Sequence, residues 1–180
     1  MRIKLRTAGL DDLTSIYAIR RDSILGVPSE ASLNDSPEER LLRWRQPAVR
    51  HRQTLRERQR QAWADKRSPN YYQARITAGH VVIASFEEDN IGWGSSSDDC
   101  ITGLYVCSSW CRRGVGRVIM DSLEMEILRR GHTCARLGSS PDAVGFYTKL
   151  GYESVGFPDE DRAVPMKKHL RITGYKSAAV

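Results

Sequence analysis

Apolar and polar residues alternate in RIKLRTA near the start of the chain, and that spacing predicts a strand. Leu13, Ile16, Tyr17, Ile19 and Ile24 then recur at helical spacing, with Thr7 or Asp11 as the cap and an end near Gly26 and Pro28. SPEERLLRWRQPAVRHRQTLRERQRQAWA reads as one or two helices broken at Pro47, because proline lacks the amide hydrogen a helix interior uses. VVIASF, IGWGSSS and CITGLYVC are short runs that predict three strands of an antiparallel meander, turning at Glu87–Asn90 and Ser97–Asp99. GVGRVIMDSLEMEILRRG carries Val115, Ile119, Leu123 and Ile127 four apart, a helix that Gly131 stops. CARLGSS reads as a strand, PDAVGFYTKLG as a short helix with proline in its first turn, and YESVGF and AVPMKKH as closing strands. The expected architecture is α/β (α+β): one domain over residues 1–170 with a central, mostly antiparallel sheet between helices, then a loose tail over 171–180.

Composition narrows the class. A chain of 180 residues, 40% hydrophobic and 28% charged, can bury a proper core in one domain and is not a disordered sequence. No apolar run approaches the roughly 20 residues that span a bilayer, and MRIKLRTAGLDDL has no apolar signal region, so a cytoplasmic protein is expected. Cys100, Cys107, Cys111 and Cys134 form no C-x-x-C pair and no zinc pattern; they read as reduced thiols used as small apolar residues, and no metal site is expected. Between Pro37 and Arg67 lie ten basic and four acidic residues, a surplus equal to the whole net charge of +6. Such a segment suits a nucleic acid or an acidic substrate, or is simply a solvated helix face. Trp44 and Trp63 within it are candidates to anchor it or to line a pocket.

The chemistry-bearing stretch is LYVCSSWCRRGVGR, residues 104 to 117, where two glycines and three arginines separate a strand from a helix. A P-loop needs a lysine and a hydroxyl residue after its last glycine, and neither follows here. A dinucleotide fingerprint needs a third glycine or alanine where Ile119 stands, within a parallel unit that this antiparallel pattern does not provide. What is left is a glycine turn at a helix N-terminus: either its unpaired amides and dipole hold an anion, with Arg112, Arg113 and Arg117 as further phosphate partners, or the turn simply starts a helix and the arginines are solvated.

In the order strand, glycine turn, helix, strand and SSPDAVGFYTKLGYESVG, the chain resembles the GNAT (N-acetyltransferase) superfamily. The resemblance runs from about Arg2 through Leu170, and its specific residues lie between Ile101 and Gly156. The family's pyrophosphate motif, Q/R-x-x-G-x-G/A, here reads CRRGVG, with Cys111 in place of glutamine or arginine. Its second signature, N-x-x-A-x-x-F-Y-x-K-x-G-F/Y, here reads SPDAVGFYTKLGY, with Ser140 in place of asparagine.

The resemblance implies an acetyl-CoA-dependent N-acetyltransferase in which an amine attacks directly, without an acyl-enzyme. It implies that the pyrophosphate lies over the amides of Arg112, Arg113, Gly114, Val115, Gly116 and Arg117, with Ser140 beside the pantetheine arm. The pantetheine amides would pair with Leu104, Tyr105 and Val106 in a splay between the fourth and fifth strands, and an N–H near Val106 would polarise the thioester carbonyl. Tyr147 would protonate the leaving thiolate, an exchange between groups of pKa near 10 and near 8.5. The general base is open: His80, Asp98 and Asp99 are candidates, and each is also an ordinary turn residue. The acceptor would be a small-molecule or peptide amine, walled by the first helices and by Tyr71 and Tyr72. A homodimer is compatible with the resemblance. Two other readings stand beside it: a non-catalytic CoA-binding sensor on the same fold, and a nucleic-acid-binding module built on residues 37–67.

Overall fold

The structure is a computed structural model that describes residues 2–25, 61–160 and 162–171. Most of the arginine-rich segment and nearly all of the expected tail therefore lie outside the described residues. One seven-stranded sheet runs through the molecule in the order β1-β2-β3-β4-β5-β7-β6. Its strands are β1 (Lys4–Thr7), β2 (His80–Phe86), β3 (Asp89–Ser97), β4 (Cys100–Val106), β5 (Cys134–Ser139), β6 (Glu153–Ser154) and β7 (Val164–His169). All neighbours are antiparallel except β4 and β5. Helices α1 (Leu13–Leu25), α2 (Pro69–Ala78), α3 (Val115–Arg129) and α4 (Val144–Lys149) cover it.

The expected meander is present, and its turns are tighter than the sequence suggested. Glu87 adopts φ +54° between β2 and β3, and Asp98 adopts φ +51° between β3 and β4. At the N-terminus neither Thr7 nor Asp11 starts a helix directly. A 3-10 turn, Leu10–Asp12, comes first, and Asp12 folds back to accept the Gly9 N–H at 2.8 Å and both ends of Arg6 at 2.6 and 2.7 Å. YESVGF pairs over Glu153–Ser154 alone. Helix α2 had no periodic apolar signal in PNYYQARITA; it forms because Tyr71, Tyr72 and Ile76 find a partner surface in the tertiary fold.

The sheet has two dissimilar faces. On one, α3 lays Val115, Ile119, Met120, Leu123 and Ile127, all essentially inaccessible, against Val82, Ala84 and Ile91. Each such side chain contributes about 1.5–3 kcal/mol on burial. Gly94 of β3 makes this approach possible: a Cβ there would lie 2.5 Å from Ile119 Cγ2. On the other face, α1 and α2 bring Ile16, Ile19 and Tyr72 onto Val81, Ile83 and Trp93. Arg20 is buried there, donating to the backbone carbonyls of Trp63 (2.6 Å) and Ala64. So the chain near Trp63 is tied down by its main chain, while the indole itself stays 44% exposed.

Candidate active site

The distinctive geometry lies where β4 leaves β5. The two parallel strands share a single register pair, Cys100 with Arg136, reinforced by Arg136 N–H donating to Asp99 O at 2.8 Å. Beyond that point they carry no further register pair, and a wedge opens along β4. The other edge of β4 stays paired to β3 as far as Val106 opposite Gly92, and Cys107 N–H donates to Ile91 O at 2.9 Å. Antiparallel residues alternate between bonding their neighbour and facing away from it. With Cys107 bonded to β3, the main-chain polar groups of Tyr105 face β3 as well, and those of Leu104 and Val106 face the wedge. Of the three strand residues expected to meet a ligand, two therefore turn their backbone polar groups toward the wedge.

At the mouth of the wedge the chain makes a 3-10 turn, Ser108–Trp110, and enters the arginine loop. Arg112 (φ +60°) and Gly114 (φ +85°) both take left-handed conformations, which curves the backbone into a concave, amide-lined turn. Nothing lies within 4 Å of a Cβ at Gly114, so its φ alone selects glycine there. Val118 N–H makes the helical bond back to Gly114 O at 3.1 Å, leaving the amides of Val115, Gly116 and Arg117 in the first turn of α3, ahead of its ladder. Arg112, Arg113 and Arg117 are exposed around it; Arg113 stands 5.2 Å over the Trp110 ring, and Arg117 Nε is 4.0 Å from Asp121.

Gly116 has a different reason to be glycine. A Cβ there would sit 3.2 Å from the Phe146 ring and 3.8 Å from Val106 Cγ2. Its bareness lets α4 close against α3 and β4, which brings the second motif to the first. Tyr147 follows Phe146 and is 9% exposed, edge-on to Phe146 at 5.1 Å and to Tyr152 at 5.9 Å. Burial pushes its hydroxyl up to about 12, with the nearby Tyr105 adding to the effect. The phenol keeps its proton at neutral pH and has a hydroxyl that can donate, although burial makes it a weaker acid than a free tyrosine. Ser140 follows β5 and caps the 3-10 turn Pro141–Ala143 that leads into α4; its carbonyl accepts from Ala143 N–H at 3.0 Å and from the Ser139 hydroxyl at 2.8 Å.

His80 does not join this group. It opens β2 opposite Ser96, which pairs with Ile101, five residues from Val106 along β4 and so roughly 15 Å away at about 3.3 Å per residue. It faces α3, half-buried in a groove of about 540 Å³ beside Leu5, Met125 and Glu126. Burial lowers its pKa. Asp98 and Asp99 occupy the β3–β4 turn, and Asp99 is engaged by Arg136 at 2.6 Å, which holds its carboxyl below the usual range. The thiols nearest the wedge are also unreactive in character: burial pushes Cys107 up to about 12 and raises Cys100 and Cys111. A thiol–imidazole contact that the sequence did not disclose joins Cys134 Sγ to His169 Nδ1 at 3.1 Å, at the start of β5 and away from the wedge.

Across the sheet from α3, the side chain of Tyr105 opens a row of aromatic rings: Trp93 at 4.8 Å, then Tyr72 at 5.8 Å from Trp93, with Tyr71 and Tyr17 at 5.2 and 6.2 Å from Tyr72. Arg20 lies 5.7 Å over the Tyr105 ring, and Arg75 lies 4.7 Å over Tyr71. Burial raises the Tyr72 hydroxyl, which has no hydrogen-bond partner among the described residues. Sequence reading placed Tyr71 and Tyr72 near an acceptor but overlooked Arg20 and Asp22, both buried. The available signal was their position: they follow Ile16 and Ile19 on the inward stripe of α1, where charge is unexpected.

Among the described residues no helix is long and apolar enough to cross a membrane, and no group of three or more His, Cys, Asp or Glu is arranged to hold a metal ion. The family model of the acetyltransferase (GNAT) domain matches residues 50–170. A Bacillus subtilis (strain 168) protein named as an acetyltransferase, BSU40680, is 35% identical over 51 residues, which is 28% of this chain and 35% of that protein. The match thus spans about a third of the curated relative. A GCN5-related N-acetyltransferase structure from Rhodopseudomonas palustris superposes with a TM-score of 0.70 at 23% identity, covering 94% of this chain and 97% of that one. The PaiA N-acetyltransferase of Thermoplasma acidophilum, solved with coenzyme A, gives 0.68 at 16% identity over 94% and 100% of the two chains. YncA of Salmonella typhimurium, solved with acetyl-CoA, gives 0.59 at 18% over 99% and 100%. At these identities the likeness is one of fold.

Proposed function

The chain belongs to the GNAT acetyltransferase family, and from that premise we propose that it transfers an acetyl group from acetyl-CoA to a primary amine by direct attack. The observation that carries the reading is the wedge: β4 and β5 part after one pair, and a left-handed, amide-lined turn sits at its mouth. The residues present fit the ligand. A pyrophosphate requires converging N–H donors without a side chain in the way, and Gly114 leaves open space where a Cβ would stand.

Acetyl-CoA supplies an activated thioester; the chain supplies placement and proton management. The first-turn amides of α3 and the exposed Arg112, Arg113 and Arg117 bind the phosphates. Backbone groups of Leu104 and Val106, which face the wedge, hold the pantetheine arm, and the Val106 N–H donates to the thioester oxygen as charge develops there. Ser140 borders the arm in place of the family's asparagine. Tyr147, protonated at neutral pH, delivers its proton to the departing sulfur. No cysteine acts as nucleophile. The amine approaches from the aromatic side, past Tyr105 and Tyr72. The domain is taken as residues 1–170.

Two measurements test this. Acetyl-CoA at 100 times its dissociation constant adds about 2.7 kcal/mol to stability, a rise of roughly 5–10 °C for a domain of this size. Absence of any shift at millimolar acetyl-CoA would remove the cofactor site. Turnover of an amine panel, followed by thiol release, should fall about 10²–10⁴-fold in Tyr147→Phe with acetyl-CoA binding kept. Unchanged turnover there would leave Tyr147 as a core aromatic.

A further inference from the structure

Asp22 is a buried carboxylate that the mechanism above does not use. It sits on α1 at 7% exposure, and both its oxygens go to one residue: Oδ2 accepts the Ser108 N–H at 2.6 Å and Oδ1 accepts the Ser108 hydroxyl at 3.1 Å. Ser108 begins the 3-10 turn between the end of β4 and the arginine loop. That turn is otherwise tied to itself and to β3, through Cys107 N–H to Ile91 O (2.9 Å), Trp110 N–H to Cys107 O (2.8 Å) and Cys111 N–H to Ser108 O (3.3 Å). The α1 carboxylate reaches it from across the sheet face.

Stability alone does not account for this carboxylate. Burial outweighs the two Ser108 hydrogen bonds and leaves the Asp22 carboxyl with a raised pKa, and its charge reaches the thiols of Cys107 and Cys111. It stands beneath a loop whose amides and arginines suit an anion, where a negative charge opposes the ligand. Such a position is justified by the geometry it imposes. Ser108 follows Val106 by two residues and precedes the left-handed Arg112 by four, so fixing its N–H sets both the amide at the end of β4 and the entry to the loop. The same helix, through Arg20, holds the chain at Trp63 and Ala64.

We propose that Asp22 is a positioning residue: by clamping Ser108 it holds the end of β4 and the arginine loop in one alignment and couples α1 to the acyl-donor site. This rests on the acetyl-CoA reading for its catalytic consequence, but not for the clamp itself. The first readout is therefore hydrogen exchange over residues 107–118 in the ligand-free protein. Asp22→Ala should speed exchange there about tenfold or more, the factor for one charge-assisted hydrogen bond. Asp22→Asn, which keeps an oxygen for the Ser108 N–H, should stay close to the parent. The second readout is kinetic. Asp22→Ala should raise the KM for acetyl-CoA and lower kcat by about tenfold each, Ser108→Ala should fall between, and Asp22→Asn should restore both.

Unchanged exchange in Asp22→Ala would overturn the clamp. So would an Asp22→Asn protein as impaired as the alanine variant, since charge and not the hydrogen bond would then be at work. If the parent protein neither binds nor turns over acetyl-CoA, the transfer reading fails while the exchange data still decide the clamp.

Discussion

The two faces of the sheet are built on different principles. Directly under α3 the contact is mainly aliphatic, with Ile119, Leu123 and Ile127 against Val82, Ala84 and the glycines of β3. Under α1 and α2 it is aromatic and polar: Trp93 Nε1 donates to Ile16 O at 2.9 Å, Arg20 serves two carbonyls, and the Ser95 and Thr102 hydroxyls meet at 2.8 Å. The α3 face is largely apolar, with its buried carboxylate, Glu124, held by Tyr152 and Lys168 at 3.0 and 2.6 Å, and it supports the first turn of α3. The α1 and α2 face carries hydroxyl, indole and guanidinium groups in fixed orientation, most of them buried and engaged within the protein. The two sides of one sheet thus differ in how much polar chemistry they enclose.

Three substitutions would break or sharpen that contrast. The largest effect belongs to the aliphatic face. Ile119→Ala should cost about 2–5 kcal/mol, because the site is fully enclosed and cannot collapse; denaturant unfolding measures it, and a loss under 1 kcal/mol would mean that α3 re-seats. On the aromatic face, Trp93→Phe should cost about 0.5–1.5 kcal/mol by removing the indole hydrogen bond to the Ile16 carbonyl, which keeps its bond within α1. It should also weaken amine binding more than acetyl-CoA binding, which paired KM values for the two substrates would reveal.

The smallest effect is at the edge of the sheet. Arg6 holds the Asp12 carboxyl below its ordinary range, so the pair stabilises the fold at any pH above the unfolded carboxyl value near 3.9, and that contribution is lost as pH falls through the lower folded value. Arg6 is about half exposed, and solvent screening keeps the contribution to about 0.2–1 kcal/mol. Arg6→Met should therefore lower stability at pH 7 by that amount and converge with the parent below pH 3. Parallel acid-unfolding curves that never converge would assign the effect to packing.

Much of the proposed donor site was legible because its signals are local. The glycines just before an apolar run marked a turn into a helix, and Gly114 takes a positive φ there; the apolar spacing of Val115, Ile119, Leu123 and Ile127 orients that helix without reference to anything else. The motif that contains Phe146-Tyr147 could be aligned with it in order, but not in space. Gly116 shows the limit: its place in the loop motif suggested a ligand's need, and in the fold its missing side chain also admits Phe146.

The sequence by itself determined the strand and helix sequence of the sheet region, the glycine turn and the family, since hydrophobic period and backbone permissiveness are properties of neighbours in the chain. Only the tertiary structure decided the rest. It set His80 at the far end of the sheet and turned the backbones of Leu104 and Val106 toward the wedge. It made a helix of PNYYQARITA and brought Asp22 to Ser108, 86 positions further along the chain. Those outcomes depend on register and on which strands part company, and long-range pairing is specified by packing against partners that no local window contains.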